Sequence, residues 1–454
     1  MFKKILIANR GEIAVRIIRA CREMDIMSVA ICSEADKDAL HAQLADQTIC
    51  IGPAPAKDSY LDMERVLGAA MAVGADAIHP GFGFLSENSK FASLCEQCHI
   101  TFIGPSSEMI KCLGNKSAAR NTMMNADVPV IPGSKEPITD AKTGAREAER
   151  IGYPVMIKAA LGGGGKGMRM AKAPDVFDAC FQTAQKEAEM AFGDGTMYIE
   201  HFVSRPRHIE FQILADKFGN VIHLGERDCS VQRNHQKLIE ESPSAALSEE
   251  LRQKMGEAAV RAAKAAKYEN AGTIEFLLEP SGAFYFMEMN TRIQVEHPVT
   301  EWVTGIDLIK EQIRIASGLP LTYRQEDIVL RGHAIECRIN AECPQKNFRP
   351  SPGKITELYL PGGRGVRIDT AIYSGYTVPP YYDSMLAKLI VHGENRQDAI
   401  VKKRCALEET MIEGIETNID YQYEIMNHPD YEAGNIDIEF IEHMQSQREA
   451  QLSQ

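Results

Sequence analysis

Two segments of this 454-residue chain carry side chains whose spacing suits chemistry. The first reads as a hairpin: a strand over 272–279, a turn at Pro280-Ser281-Gly282-Ala283, and a returning strand over 284–291. A two-residue loop at Ser281-Gly282 places Glu275 directly opposite Glu288 on one face. Opposed carboxylates repel. A divalent cation removes the repulsion, and two carboxylates with phosphate oxygens and water are the usual surroundings of Mg²⁺. Asn290 shares that face and offers a third oxygen. A solvent-facing acidic hairpin is the alternative, opposed by Phe276, Phe284 and Phe286. Beyond the strand, Arg292, Gln294 and Glu296 alternate with Ile293, Val295 and His297. A guanidinium, an amide and a carboxylate so spaced can hold a small oxyanion and offer a general base; a plain Arg292–Glu296 ion pair is the bland alternative.

The second segment is Leu161-Gly162-Gly163-Gly164-Gly165-Lys166-Gly167, between a strand over 153–160 and one over 168–172. It matches G-x-G-x-x-G formally, but a dinucleotide fingerprint must open a helix, and no Walker A ending follows. Four successive glycines cost backbone entropy, and their amides can cradle phosphate. With Lys158 and Lys166 beside them they read as a phosphate-binding flap, against a flexible surface hairpin. A third polar run, Glu226 to Lys237, is dense in donors; it reads equally well as a solvated loop.

The elements that must position these groups alternate over the first ~110 residues: strands near 3–8, 28–32, 75–79 and 100–103, with helices over 11–24 and 91–98. This is a doubly wound α/β pattern. The middle mixes an Ala-rich helix over 249–268 with hairpins. The last part reads as β-rich, with Gly/Pro turns and a helix over 398–410, and the polar end is expected to fray. A net charge of −13 argues against a nucleic-acid binder. No run approaches the roughly 18 apolar residues of a membrane span, and Asn9-Arg10-Gly11-Glu12 interrupts any signal-like start, so a cytoplasmic protein is expected. The 11 scattered cysteines suit free thiols. Cys95-Glu96-Gln97-Cys98-His99 has haem-attachment spacing but reads as the end of a helix.

Taken together the segments resemble the biotin carboxylases, a branch of the ATP-grasp superfamily. The matching runs include Ile7-Ala8-Asn9-Arg10-Gly11-Glu12, His79-Pro80-Gly81-Phe82-Gly83-Phe84-Leu85-Ser86-Glu87-Asn88, residues 158–169, 226–237 and 288–300, and Gly375-Tyr376-Thr377-Val378-Pro379-Pro380-Tyr381-Tyr382-Asp383-Ser384. The resemblance implies a Rossmann-like N-terminal domain (1–114), a central ATP-grasp domain (115–330) with a mobile lid at about 131–203, a β-rich C-terminal domain (331–445) and a polar tail (446–454).

It also implies roles. Lys116, Lys158, Gly164 and Gly165 would meet the phosphates of ATP. Glu200, His201, Phe202, Val203, His208, Gln232, His235 and Leu277 would surround adenine and ribose. Glu275, Glu288 and Asn290 would hold Mg²⁺ or Mn²⁺, with two ions expected. Lys237, Arg292, Gln294 and Val295 would bind bicarbonate, Glu296 would deprotonate it, and Arg338 would steady the biotin enolate, with Phe82 on the biotin side. Phe82, His201 and Leu161 depart from the residues common there (Tyr, Lys and Gly). No Ala-Met-Lys-Met biotin-attachment site occurs. Biotin would arrive on a separate biotin carboxyl carrier protein, with carboxyltransferase subunits completing the system and a homodimer as the enzyme. The resemblance points to acetyl-CoA carboxylase, making malonyl-CoA for fatty acid synthesis; a pyruvate or propionyl-CoA carboxylase is the rival, and a nicotinamide dehydrogenase fails on the strand–loop–strand context. Lys116, Lys158, Lys166, Lys237, Arg292 and Arg338 would make a locally positive cleft in an acidic protein.

Overall fold

The computed structural model describes residues 1–134, 136–160 and 167–452, except the side chains at 116, 117, 191, 192, 449, 451 and 452. The N-terminal strands β1 (Lys4–Ile7), β2 (Met27–Ser33), β3 (Gln47–Gly52), β4 (Ala77–His79) and β5 (Thr101–Phe102) form one parallel sheet in the order β3-β2-β1-β4-β5. Both faces are covered, as a parallel sheet requires. Ile5 and Ile7 enter one apolar cluster and Leu6 and Ala8 another, following the two-residue period of a strand. The order reverses between β1 and β4, so the loops after these two strands part and leave a crevice at their carboxyl ends. Asn9 ties them together, its Nδ2 donating to the carbonyls of Pro80 and Phe82, each at 2.7 Å. Gly11, at φ +68°, turns the chain from β1 into the helix Gly11–Glu23.

A small antiparallel sheet follows, β6 (Val155–Ala159), β7 (Met168–Ala171) and β8 (Met197–His201) in the order β7-β6-β8. The helices Ala141–Ile151 and Pro174–Phe192 cover it with their own core, which includes Phe177, Phe181, Ile157 and Ile199.

The largest element is an eight-stranded antiparallel sheet of β9 (Arg207–Ala215), β10 (Val221–Arg233), β11 (Gln236–Ser242), β12 (Asn270–Leu278), β13 (Phe284–Asn290), β14 (His333–Asn340), β15 (Val366–Thr370) and β16 (Met385–Gly393). Its order is β13-β12-β9-β10-β11-β14-β16-β15. Pairing of β11 with β14, Ile239 opposite Cys337, carries the sheet across residue 330.

Three expectations are corrected. The Glu226–Lys237 run is not a solvated loop: it is the β10–β11 hairpin, turning on Asn234 and His235 at φ +50° and +64°, with Glu226, Arg227 and Asp228 buried. The β12–β13 loop has three residues, Pro280 to Gly282, because Leu278 pairs with Phe284 and Glu279 N–H donates to Ala283 O at 2.8 Å. The polar end, read without secondary structure, is helical among the described residues, Phe440–Leu452. Among the described residues no helix is long and apolar enough to cross a membrane.

Candidate active site

Strand register builds the floor of the site. Arg227 lies opposite Glu210, Glu210 opposite Glu275, and Glu275 opposite Glu288. Neighbours in register share a face, so four ionisable side chains form a row across β10, β9, β12 and β13. The Glu275–Glu288 pairing stands although the loop is longer than expected. The three-residue loop shifts the register by one, and a bulge between Glu275 and Phe276 shifts it back.

Lys237, set at the start of β11 by the Asn234-His235 turn, reaches over this row. Its Nζ lies 2.6 Å from Glu210 Oε2, 3.1 Å from Glu275 Oε1 and 2.6 Å from Glu296 Oε1. Burial works against the ammonium, but Glu210, Glu275 and Glu296 outweigh it and hold its pKa well above that of a free lysine. Burial would likewise raise Glu296; Lys237 and Arg338 overcome it and keep the carboxyl below its usual range, hence ionised. Arg338 on β14 bridges two carboxylates, Nη2 to Glu296 Oε2 at 2.9 Å and Nε to Glu240 Oε1 at 2.6 Å. Burial above all lifts Glu240 to about 7.

Residues 291–296 lie beyond the end of β13, and Glu296 stands at the N-terminus of the helix His297–Thr304. Arg292 does not pair with Glu296; its Nε donates to Glu87 Oε2 at 2.9 Å and its Nη2 to Asn290 Oδ1 at 3.2 Å. Asn290 and Gln294 each donate to Glu275 Oε1 at 2.8 Å. Above this floor opens a cleft of about 1190 Å³ between the N-terminal loops and the large sheet. It is lined on one side by Asn9, Phe82 and Phe84, and on the other by His208, Gln232, His235, Lys237, Glu275, Leu277, Glu288, Asn290, Arg292, Gln294, Val295 and Arg338.

Profiles of three families match the chain: "Biotin carboxylase, N-terminal domain" over residues 1–110, "Carbamoyl-phosphate synthase L chain, ATP binding domain" over 115–324, and "Biotin carboxylase C-terminal domain" over 336–443. A biotin carboxylase of Nostoc sp. is 57% identical over 443 residues, 98% of this chain and 99% of that one. The chain belongs to the biotin carboxylase family. A pyruvate carboxylase component of Methanothermobacter thermautotrophicus, 54% identical, covers 97% of this chain and 90% of its own. Among solved structures, the biotin carboxylase domain dimer of Hydrogenobacter thermophilus 2-oxoglutarate carboxylase, in complex with MgADP, ADP and bicarbonate, aligns with TM-score 0.86 at 49% identity over 98% of both chains. The three-part α/β architecture of a biotin carboxylase and its class, an ATP-dependent ligase, follow.

The structure of this biotin carboxylase does not gather every residue named from the sequence. Lys158, Glu200, His201, Phe202 and Val203 do not line the cleft. Lys158 donates instead to Glu200 across β6 and β8, His201 Nε2 sits 2.9 Å from Glu279 Oε1, and Phe202 N–H donates to Pro154 O at 2.9 Å. Gly164, Gly165, Lys166 and the Lys116 side chain lie outside the described residues. The cations expected to make the cleft positive are partnered where they are described. Lys237, Arg292, Arg338 and Lys158 each already face a carboxylate.

The donor set on the hairpin fits a hard cation: Glu275 and Glu288 present carboxylates side by side, and Asn290 adds an amide. His208 and Glu210 bring further donor atoms to Glu275, all within 4.8 Å of one another. Sequence reading missed Glu210, Arg227, Glu240 and Glu87. The signal for Glu210 was present in His208-Ile209-Glu210-Phe211-Gln212-Ile213, whose alternation puts three polar groups on one face of a strand. All three are buried.

Proposed function

We propose that this site carries out ATP- and bicarbonate-dependent carboxylation of biotin through carboxyphosphate. The observation that carries the reading is the chain Lys237–Glu296–Arg338: one ionised carboxylate held between two cations at 2.6 and 2.9 Å. Bicarbonate binds against Lys237, Arg292, Gln294 and the Val295 backbone. Glu296 takes its proton as a carbonate oxygen attacks the γ-phosphorus of ATP and the bond to the β–γ bridging oxygen breaks, giving ADP and carboxyphosphate. A carboxylate with a depressed pKa is a weak base for bicarbonate, so this proton moves with the attack and not before it. Mg²⁺, held by Glu275, Glu288 and Asn290 when bound, offsets triphosphate charge.

Carboxyphosphate separates into CO₂ and phosphate. The phosphate removes the ureido proton of biotin, Arg338 stabilises the enolate, and the deprotonated ureido nitrogen attacks CO₂ to give carboxybiotin. Phe82 faces this side of the cleft. His208, Gln232, His235 and Leu277 contact the nucleoside. Lys158, Glu200, His201, Phe202 and Val203 join when the lid turns toward the cleft, where closure excludes water from the intermediate.

Biotin arrives on a separate carboxyl carrier protein, carboxyltransferase subunits take the carboxyl group onward, and the enzyme works as a homodimer in the cytoplasm. The acyl acceptor is acetyl-CoA. The pyruvate and 2-oxoglutarate systems named among the relatives make another acceptor the second reading. The test is ATP hydrolysis with and without bicarbonate and free biotin. Turnover should require bicarbonate and rise with biotin; full turnover without either overturns the reading.

A further inference from the structure

Lys388, in the middle of β16, is fully buried. Its Nζ donates to the backbone carbonyl of Val295 at 2.9 Å and lies 3.2 Å from Glu12 Oε2 and 3.7 Å from Asp369 Oδ2. A buried ammonium is costly unless paired. Glu12 on the N-terminal helix and Asp369 on β15 supply the pairing charge. Neither carboxylate explains the hydrogen bond to Val295.

We propose that Lys388 is a positioning residue for bicarbonate, acting through the Val295 carbonyl; the inference rests on the reading of the site given above. The peptide geometry gives the reason. The loop 291–296 has no sheet partner to hold it, and it ends in Glu296. Two core groups grip its carbonyls: His297 lies with Nδ1 2.8 Å from Gln294 O, and Lys388 holds Val295 O. In a trans peptide the N–H points opposite the C=O. Drawing Gln294 O toward His297 therefore turns the Val295 N–H away from the core, toward the cleft that Val295 lines. Drawing Val295 O toward Lys388 fixes the next peptide plane, which carries Glu296. The backbone donor for the anion and the base that deprotonates it are thus set by two adjacent peptides that meet at Val295, and releasing the Val295 carbonyl from Lys388 loosens both. A second buried lysine, Lys403, also donates to a backbone carbonyl, that of Leu389, but touches nothing in the loop.

The experiment compares Lys388→Met with Lys403→Met in the full chain. Losing a charged hydrogen bond to the loop should raise the KM for bicarbonate about tenfold or more, with the KM for ATP within about twofold. Lys403→Met should lower the melting temperature and leave both KM values within about twofold. An unchanged bicarbonate KM in a folded Lys388→Met, or an equal rise in Lys403→Met, overturns the proposal. If Lys388→Met does not fold, Lys388→Arg keeps the charge facing Glu12 and Asp369 but carries its donors on a longer, rigid fork. It should show the same selective rise, and unchanged KM values would overturn the proposal. Wild-type turnover independent of bicarbonate would instead defeat the reading of the site, so the two failures are distinguishable.

Discussion

Replacing Lys237 by Met removes one ammonium from among three buried carboxylates, Glu210, Glu275 and Glu296, at 2.6, 3.1 and 2.6 Å. Breaking a buried pair costs about 3–5 kcal/mol when the remaining charge stays uncompensated. The cluster has a cheaper response, which is to take up a proton. Protonating a carboxyl of ordinary pKa 4.5 costs about 3 kcal/mol at pH 7 and under about 1 kcal/mol at pH 5. The destabilisation of Lys237→Met should therefore be about 3 kcal/mol at pH 7 and shrink toward pH 5. Wild type keeps these groups ionised through that range, because Glu210, Glu275 and Glu296 all titrate below their usual values. If the proton settles on Glu296, the proposed base is lost along with the proposed bicarbonate contact of Lys237, so bicarbonate-dependent ATP turnover should fall by about 10²–10³ in kcat/KM. Thermal unfolding at pH 7 and pH 5 and steady-state kinetics check both. A stability loss as large at pH 5 as at pH 7 would refute proton uptake, and an unchanged bicarbonate KM would refute the role of Lys237.

Glu288→Gln should move the midpoint of Mg²⁺ activation upward by about tenfold, with an unmoved titration counting against the hairpin site. Arg338→Ala removes both the proposed enolate partner and one of the cations on Glu296. Biotin carboxylation should fall about 10²-fold more than bicarbonate-dependent ATP turnover, and equal losses would contradict the assignment. Away from the site, Glu241 is paired with His333 at 2.7 Å and Arg396 at 2.8 Å; these overcome burial and depress its pKa from 4.5 to about 2. A depressed carboxyl stabilises the fold above its unfolded pKa and loses that stability as pH falls through the folded one. Glu241→Gln should thus cost about 3 kcal/mol above pH 5, the deficit closing between pH 4.5 and 2, whereas parallel unfolding profiles would refute it.

The parts of the site legible in the sequence are those set by short-range rules. Strand alternation and a turn placed Glu275 beside Glu288, although the loop length was misjudged. Ser281-Gly282 reads as a two-residue turn, and no local feature announces a compensating bulge at Phe276. Four strands of the parallel N-terminal sheet were legible because their apolar runs are short and separated by helical patterns, but the edge strand β3, exposed or half-buried for most of its length, was not read. Residues 226–237 were not, because their polarity is satisfied by distant partners: Arg227 by Glu210, Gln212, Thr273 and Thr300, and Glu226 by Arg252 and the Ser244 N–H. A polar strand buried against polar strands has the composition of a loop. The bland alternative, an Arg292–Glu296 ion pair, fails because the fold brings Glu87 to Arg292 from more than 200 residues away.

That pairing alters how an acidic protein can bind anions. The sequence suggested a cleft where lysines and arginines outnumber carboxylates. Among the described residues, four of these cations are already engaged: Lys237 with three carboxylates, Arg338 with Glu240 and Glu296, Arg292 with Glu87, and Lys158 with Glu200. Such pairing lowers the cost of burying these groups before substrate arrives, and it means an incoming anion must compete for them. In the proposed mechanism bicarbonate, with one charge, is matched to that competition, since the more exposed Glu87 can release Arg292 while buried Glu296 stays to accept the proton. ATP, with several charges, is not. It needs cationic charge brought with it or carried in, which the proposed mechanism leaves to Mg²⁺ on the hairpin and to Lys158 on the lid. In the proposed mechanism the distribution of partners separates a bicarbonate subsite at Lys237 and Arg292 from a nucleotide site completed by ion and lid. It follows that mutations of Lys237 and Arg292 should act on the bicarbonate KM, and mutations of Lys158 on the ATP KM.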